Sequence, residues 1–262
     1  MSSSMPTPPI TELLDPTRPN HVILFGDSIT EWSFENSPNH TGFGYRLTHY
    51  YKDLAQVLNR GVAAYTTTWL KPYFHQILGE IRVKATKPPL LFTIFLGAND
   101  AAPPGGPQHV PLDQFEANIR EFVDTILNDS VTKGTKILLI AVTPIALPTA
   151  KTDSDDSDRD DQVEERRGNE GYKTYMRKKQ YAEATMRIAK EYEAKGKDVV
   201  GLNAWRDFVN SAMRRGLGEP GTETKVEEYD DDTLAGSGLP TAWEFQEGWF
   251  VDGIHLGPQV WS

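Results

Sequence analysis

"HVILFGDSITEW", residues 21–32, is an apolar run that stops abruptly at Gly-Asp-Ser. His21 to Phe25 predicts a short strand buried on both faces, because its branched and aromatic side chains need cover above and below. The chain then turns at Gly26, shows an acid and a hydroxyl, and carries on as Ile-Thr-Glu-Trp. Gly, Asp and Ser are also the residues that tight turns favour. Taken alone, Ser28 fits an ordinary turn at least as well as a nucleophile held at the rim of a sheet.

Outward from that strand the chain alternates. "GFGYRLTHYYKDL" (42–54) has helical spacing and "AQVLNRG" (55–61) reads as a second strand. "TTTWLKPYFHQILGEIR" (66–82) predicts a helix with Pro72 in its first turns, where a missing N–H is harmless. "LLFTIFLG" (90–97) is an almost unbroken apolar strand. From 111 to 129, Leu112, Phe115, Ile119, Phe122, Val123, Ile126 and Leu127 fall on one helical stripe. "KILLIAV" (136–142) predicts a fourth strand, 172–195 a charged helix, "DVVGLN" (198–203) a fifth strand and "AWRDFVNSAMRR" (204–215) a further helix. Repeated β-α-β units of this kind predict a parallel sheet with helices on both faces.

The 262 residues suffice for one large domain, with a polar, Pro-rich segment at 1–20 expected to be flexible and a domain from 21 onward. A formal charge of −10 argues against a non-specific grip on nucleic acid or an anionic membrane, which takes clustered Lys and Arg. The absence of cysteine excludes disulfides, thiolate metal sites and cysteine catalysis. No apolar run approaches the roughly 20 residues that cross a bilayer, and 1–20 lacks an apolar signal core. Composition therefore predicts a cytoplasmic protein. The acidic stretch "DSDDSDRDDQVEE" (153–165) roughly spaces Asp153, Asp155, Ser157, Asp161 and Glu164 like a calcium loop. Asp158 occupies the glycine position of that loop, and Pro144 and Pro148 leave no entering helix, so an acidic surface insertion over about 150–168 is the better reading. The stretch 217–242, rich in Gly, Glu and Asp, predicts a surface loop.

In an open parallel sheet, ligands bind beyond the carboxyl ends of the strands. The first strand ends at Ser28, the second in "NRGVAAY", the third in "GAND" with Asn99 and Asp100, and the fourth at Thr143 and Pro144. Near the C-terminus "FVDGIHLGP" sets Asp252 and His255 three residues apart. A serine, a histidine, an acid to orient it and an amide donor are the parts of acyl-transfer chemistry.

"GDSIT", "NRGVAAYTT", "GAND" and "DGIHL", in that order, resemble the four blocks of the SGNH, or GDSL-type, hydrolase superfamily, and are most similar to its isoamyl acetate-hydrolysing esterase branch. The resemblance runs from about residue 21 to 258. It implies a flavodoxin-like three-layer α/β/α sandwich around a central five-stranded parallel sheet. It also implies a serine-dependent carboxylic ester hydrolase acting on small short-chain esters such as acetates. Ser28 would be the nucleophile, His255 the base and Asp252 its orienting acid. The backbone N–H groups of Ser28 and Ala64 and the side-chain amide of Asn99 would form the oxyanion hole, with no metal or organic cofactor. Two other readings stand beside it: a deacetylase of a sugar or other small metabolite, and a non-catalytic binding or scaffold protein that keeps the fold. The chain departs from the family pattern in two places. Ala64 stands where the family usually has glycine; its backbone N–H keeps the role if φ there is negative and loses it if the site needs a glycine-only conformation. Family members also continue past the Asp-x-x-His block into a terminal helix, whereas these residues stop at "GPQVWS". Apolar surface near the first and fifth strands is therefore expected to lie open.

Overall fold

The computed structural model describes residues 5–37, 40–149, 163, 165–216 and 230–261. Most of the acidic stretch, 150–162 and 164, lies outside the described residues, as does 217–229. Five strands form one sheet: β1 (His21–Gly26), β2 (Gln56–Gly61), β3 (Leu91–Phe95), β4 (Lys136–Ile140) and β5 (Val199–Leu202). Every pairing is parallel and the spatial order is β2-β1-β3-β4-β5. This is the flavodoxin-like order, and it reverses direction between β1 and β3. The crevice at such a switch point is where ligands bind.

Side chains alternate across each strand, so the sheet has two apolar faces. Ile23, Phe25, Leu58, Phe92, Ile94, Ile137, Leu139 and Val199 point to the first. Three helices cover it: α3 (Lys71–Lys84), α4 (Leu112–Asn128) and α5 (Glu170–Ala194). Phe25 sits centrally, with ring centroids 5.6 Å from Phe74, 6.0 Å from Phe92 and 5.4 Å from Phe122. Such tilted and edge-to-face contacts add about 0.5–1.5 kcal/mol each beyond burial. Pro72 lies in the first turn of α3, as its missing donor requires.

The second face is covered less evenly. The helix α2 (Phe43–Tyr50) packs Phe43 and Leu47 over Val22, Leu24 and Val57 of β1 and β2. On the other side α6 (Ala204–Gly216) sets Ala204 and Phe208 beside Ile140 and Leu256, while Trp205, Val209 and Met213 join the first core. Between them runs an apolar groove of about 370 Å³, floored by side chains that include Leu24, Thr93, Phe95, Leu138 and Leu202. The groove crosses this face from β1 to β5.

Residues 5–20 take no helix or strand but lie against the body. Leu14 is buried, its N–H donates to Glu80 Oε1 at 2.7 Å, and Glu80 Oε2 pairs with the buried Arg60 at 2.8 Å. The expectation of a surface loop through 217–242 fails over 234–239. Leu234, Ala235, Ser237 and Leu239 are all buried, and Tyr175 of α5 donates its hydroxyl to Ala235 O at 2.9 Å. Leu234 and Ala235 join the main core despite their polar surroundings. Among the described residues no helix is long and apolar enough to cross a membrane.

Candidate active site

The turn after β1 is built by its own residues. Gly26 has no room for a side chain: a Cβ there would meet Thr30 Oγ1 at 2.0 Å and Phe95 O at 2.7 Å. Asp27 then caps a one-turn helix, α1 (Ser28–Glu31), accepting from Ile29 N–H at 3.0 Å. Ser28 is thereby the first helical residue at the carboxyl end of β1. Its backbone N–H is one of those a helix start leaves without an internal acceptor.

The loop that carries Asp252 and His255 returns to this point from the far end of the chain. His255 Nε2 lies 2.8 Å from Ser28 Oγ, and its Nδ1 lies 2.7 Å from Asp252 Oδ2. Asp252 Oδ1 also accepts the N–H groups of Ile254 (3.0 Å) and His255 (2.9 Å). Partial burial would raise the Asp252 carboxyl, but the hydrogen bonds from His255 and Ile254 outweigh it and hold the group below the usual carboxylate range. With Asp252 ionised, Nδ1 carries the proton it donates, and Nε2 is left as an acceptor for the serine hydroxyl. Trp32 is 42% exposed and lies 3.8 Å from the His255 ring between centroids. It borders a pocket of about 220 Å³ with Ile29, Phe43, Val251, His255 and Leu256.

Asn99 lies in the loop after β3 and donates Nδ2 to Tyr65 O at 2.8 Å. Gln108, which nothing in the sequence singled out, donates to both Ala64 O (2.8 Å) and Asn99 Oδ1 (3.3 Å), tying the loops after β2 and β3 together. Ala64 has φ +66°, the one non-glycine residue with positive φ among those described. The negative φ expected of an alanine in this role is thus not met: the backbone lies in the left-handed region, which an alanine enters at a cost of roughly 1–2 kcal/mol. Ala64→Gly should therefore stabilise the protein by up to about 1 kcal/mol, once the looser unfolded chain is counted. That corresponds to a rise of ~2–4 °C in melting temperature, and calorimetry showing a fall would contradict it.

Beneath the rim, Asp27 and Asp100 are fully buried. Burial raises the Asp27 carboxyl to about 6 and the Asp100 carboxyl to about 7, against the hydrogen bonds each accepts. Asp100 receives Thr67 N–H at 3.1 Å and Thr67 Oγ1, in keeping with a loop-bracing role. The structure thus brings Ser28, Asp252 and His255 into one chain of hydrogen bonds and sets Asn99 on the adjoining loop that Gln108 ties to Ala64. A hydroxyl, an imidazole to take its proton and a carboxylate to hold that imidazole can perform nucleophilic acyl transfer.

Residues 22–260 match the family described as GDSL-like Lipase/Acylhydrolase. The chain is 36% identical over 126 residues to the isoamyl acetate-hydrolyzing esterase 1 homolog of Bos taurus, an alignment covering 47% of this chain and 48% of that protein. It is 42% identical over 106 residues to the isoamyl acetate-hydrolyzing esterase of Saccharomyces cerevisiae, covering 38% and 42%. The matched region spans about half the length of these curated relatives. A solved acetyl xylan esterase, AlAXEase, shares the fold at TM-score 0.50 and 18% identity, over 80% of this chain and 92% of that one. On the family match, which takes in nearly the whole chain, this protein belongs to the GDSL-like lipase/acylhydrolase family.

Proposed function

We propose that this protein is a serine esterase that hydrolyses small, short-chain esters of the acetate kind through an acyl-enzyme on Ser28. The observation that carries the reading is the unbroken hydrogen-bond chain from Ser28 Oγ through His255 to Asp252, at 2.8 and 2.7 Å. Ser28 Oγ attacks the ester carbonyl as its proton passes to His255 Nε2. Asp252 keeps the ring oriented and stabilises its charged form. The oxyanion is met by the N–H groups of Ser28 and Ala64 and by Asn99 Nδ2. Collapse of the tetrahedral species breaks the bond to the alcohol, which leaves with the proton from His255. A water then attacks the acyl group, giving its proton to His255, and the acid leaves as Ser28 Oγ recovers it.

The small pocket beside His255, walled by Ile29, Phe43 and Leu256, supports a short acyl group. Likeness to two isoamyl acetate-hydrolyzing esterases points the same way. The test has two parts. A fluorophosphonate probe should modify Ser28, as mapped by peptide mass spectrometry. A p-nitrophenyl ester series should give kcat/KM that falls as the acyl chain grows past a few carbons. A label on another serine sinks the assignment, and a preference for long chains or for acetylated sugars sinks the substrate class.

A further inference from the structure

Resting on the esterase reading, we infer that Lys178 is a positioning residue: its buried ammonium holds the Asn99 loop in place for the oxyanion. Lys178 lies in the middle of α5 and is 4% exposed. A lysine buried to this degree is rare unless a partner compensates its charge. Its Nζ donates to Ala98 O at 2.9 Å. The backbone of the same residue, Ala98, also acts on Asp27, helping to hold its carboxyl down against burial. The residue before Asn99 is thus held by Lys178 and lies beside the acid that caps the Ser28 helix. One position earlier on α5, Arg177 donates to Ala101 O at 3.3 Å, so two neighbouring cations bracket Asn99 and Asp100.

The charges that face Lys178 come from two elements. Asp27 stands in the turn after β1 and Asp100 in the loop after β3, and both act electrostatically on the ammonium. Burial lowers Lys178 to about 8, against the pull of those carboxylates. His255 in turn acts on Asp27, so the buried cluster and the surface triad are electrically joined. An ammonium–carbonyl hydrogen bond is stronger than that of a neutral amine. Loss of the proton would loosen the Asn99 loop and leave Asp27 and Asp100 facing each other without a counter-charge. A shift of the oxyanion donor by about 1 Å costs on the order of 10²-fold in turnover.

The experiment compares wild type, Lys178→Met and Lys178→Arg with p-nitrophenyl acetate between pH 6 and 9.5. Lys178→Met should lower kcat at pH 7 by tenfold or more with KM changed less than threefold, and Lys178→Arg should restore most of the loss. In the wild type kcat should decline above about pH 8, a limb absent from Lys178→Arg, whose guanidinium stays charged. An unchanged kcat in folded Lys178→Met, or the same alkaline limb in all three proteins, overturns the proposal. The amide resonances of Ala98 and Asn99 read the contact without turnover. They should shift near pH 8 in wild type and not in Lys178→Arg, and silent amides overturn it too, even if Lys178→Met fails to fold. A wild type with shifting amides but no ester turnover and no probe on Ser28 refutes the esterase reading while leaving the hold of Lys178 on the loop intact.

Discussion

Ser28→Ala should lower ester turnover by about 10⁶-fold while moving the melting temperature by no more than a few degrees. The size follows from the chemistry: without Oγ there is no acyl-enzyme, and only the oxyanion donors and the pocket are left to act. Those remnants still give roughly 10³–10⁴-fold over water in hydrolases of this kind, so a residual rate is expected, without the burst of a covalent intermediate. The small effect on stability follows from the surroundings. Ser28 Oγ has His255 as its hydrogen-bond partner, and His255 stays fixed by Asp252. Initial rates, burst amplitude and thermal unfolding of the purified variant decide it. Turnover within tenfold of wild type would mean that Ser28 only shapes the turn, the bland alternative that the Gly-Asp-Ser residues also allow.

His255→Ala should cost nearly as much as Ser28→Ala, and the double variant little more than either. A serine hydroxyl with no base is almost as poor a nucleophile as none, so the two losses describe one step and do not multiply. Asp252→Ala should cost less, because the imidazole remains near Ser28 but loses the acceptor that fixes its tautomer. Rates falling by the product of the single effects would show two independent contributions and refute a shared proton path. The exposed side of the triad adds a handle: Trp32 lies against the His255 ring, so its fluorescence should report protonation of that imidazole in the wild type and not in His255→Ala.

Much of this architecture could be read from the chain because short apolar runs end in sharply different residues. "HVILFG", "LLFTIFLG" and "KILLIAV" need cover on two faces, and only a central parallel sheet supplies it. Each run also ends in residues of a contrasting kind, so the rim was legible as the place where Ser28 and Asn99 collect. What was not legible depends on contacts far apart in sequence. A lysine between Arg177 and Lys179 reads as part of a solvated face, and only packing of α5 against the loop after β3 buries it. Leu234, Ala235 and Leu239 are diluted by Gly, Ser and Asp, so their burial leaves no periodic trace. Trp32 and His255 are separated by most of the chain, and no local pattern announces their stacking. The positive φ of Ala64 is likewise silent, because alanine is a residue that regular structure accepts anywhere.

The two halves of the triad differ greatly in how they must be assembled. Asp252 and His255 are three residues apart and bond within one tight loop, so their pairing needs almost no loop closure. Ser28 and His255 are separated by 227 positions, and four of the five sheet strands lie between them in the chain. Contacts of that separation carry the largest ordering cost and form late in folding. During refolding from denaturant, helical signal and sheet burial would thus return first, with hydrolytic competence lagging behind them. On the proposed mechanism, catalysis would be a gauge of chain closure, sensitive to the last long-range contact and blind to the earlier ones.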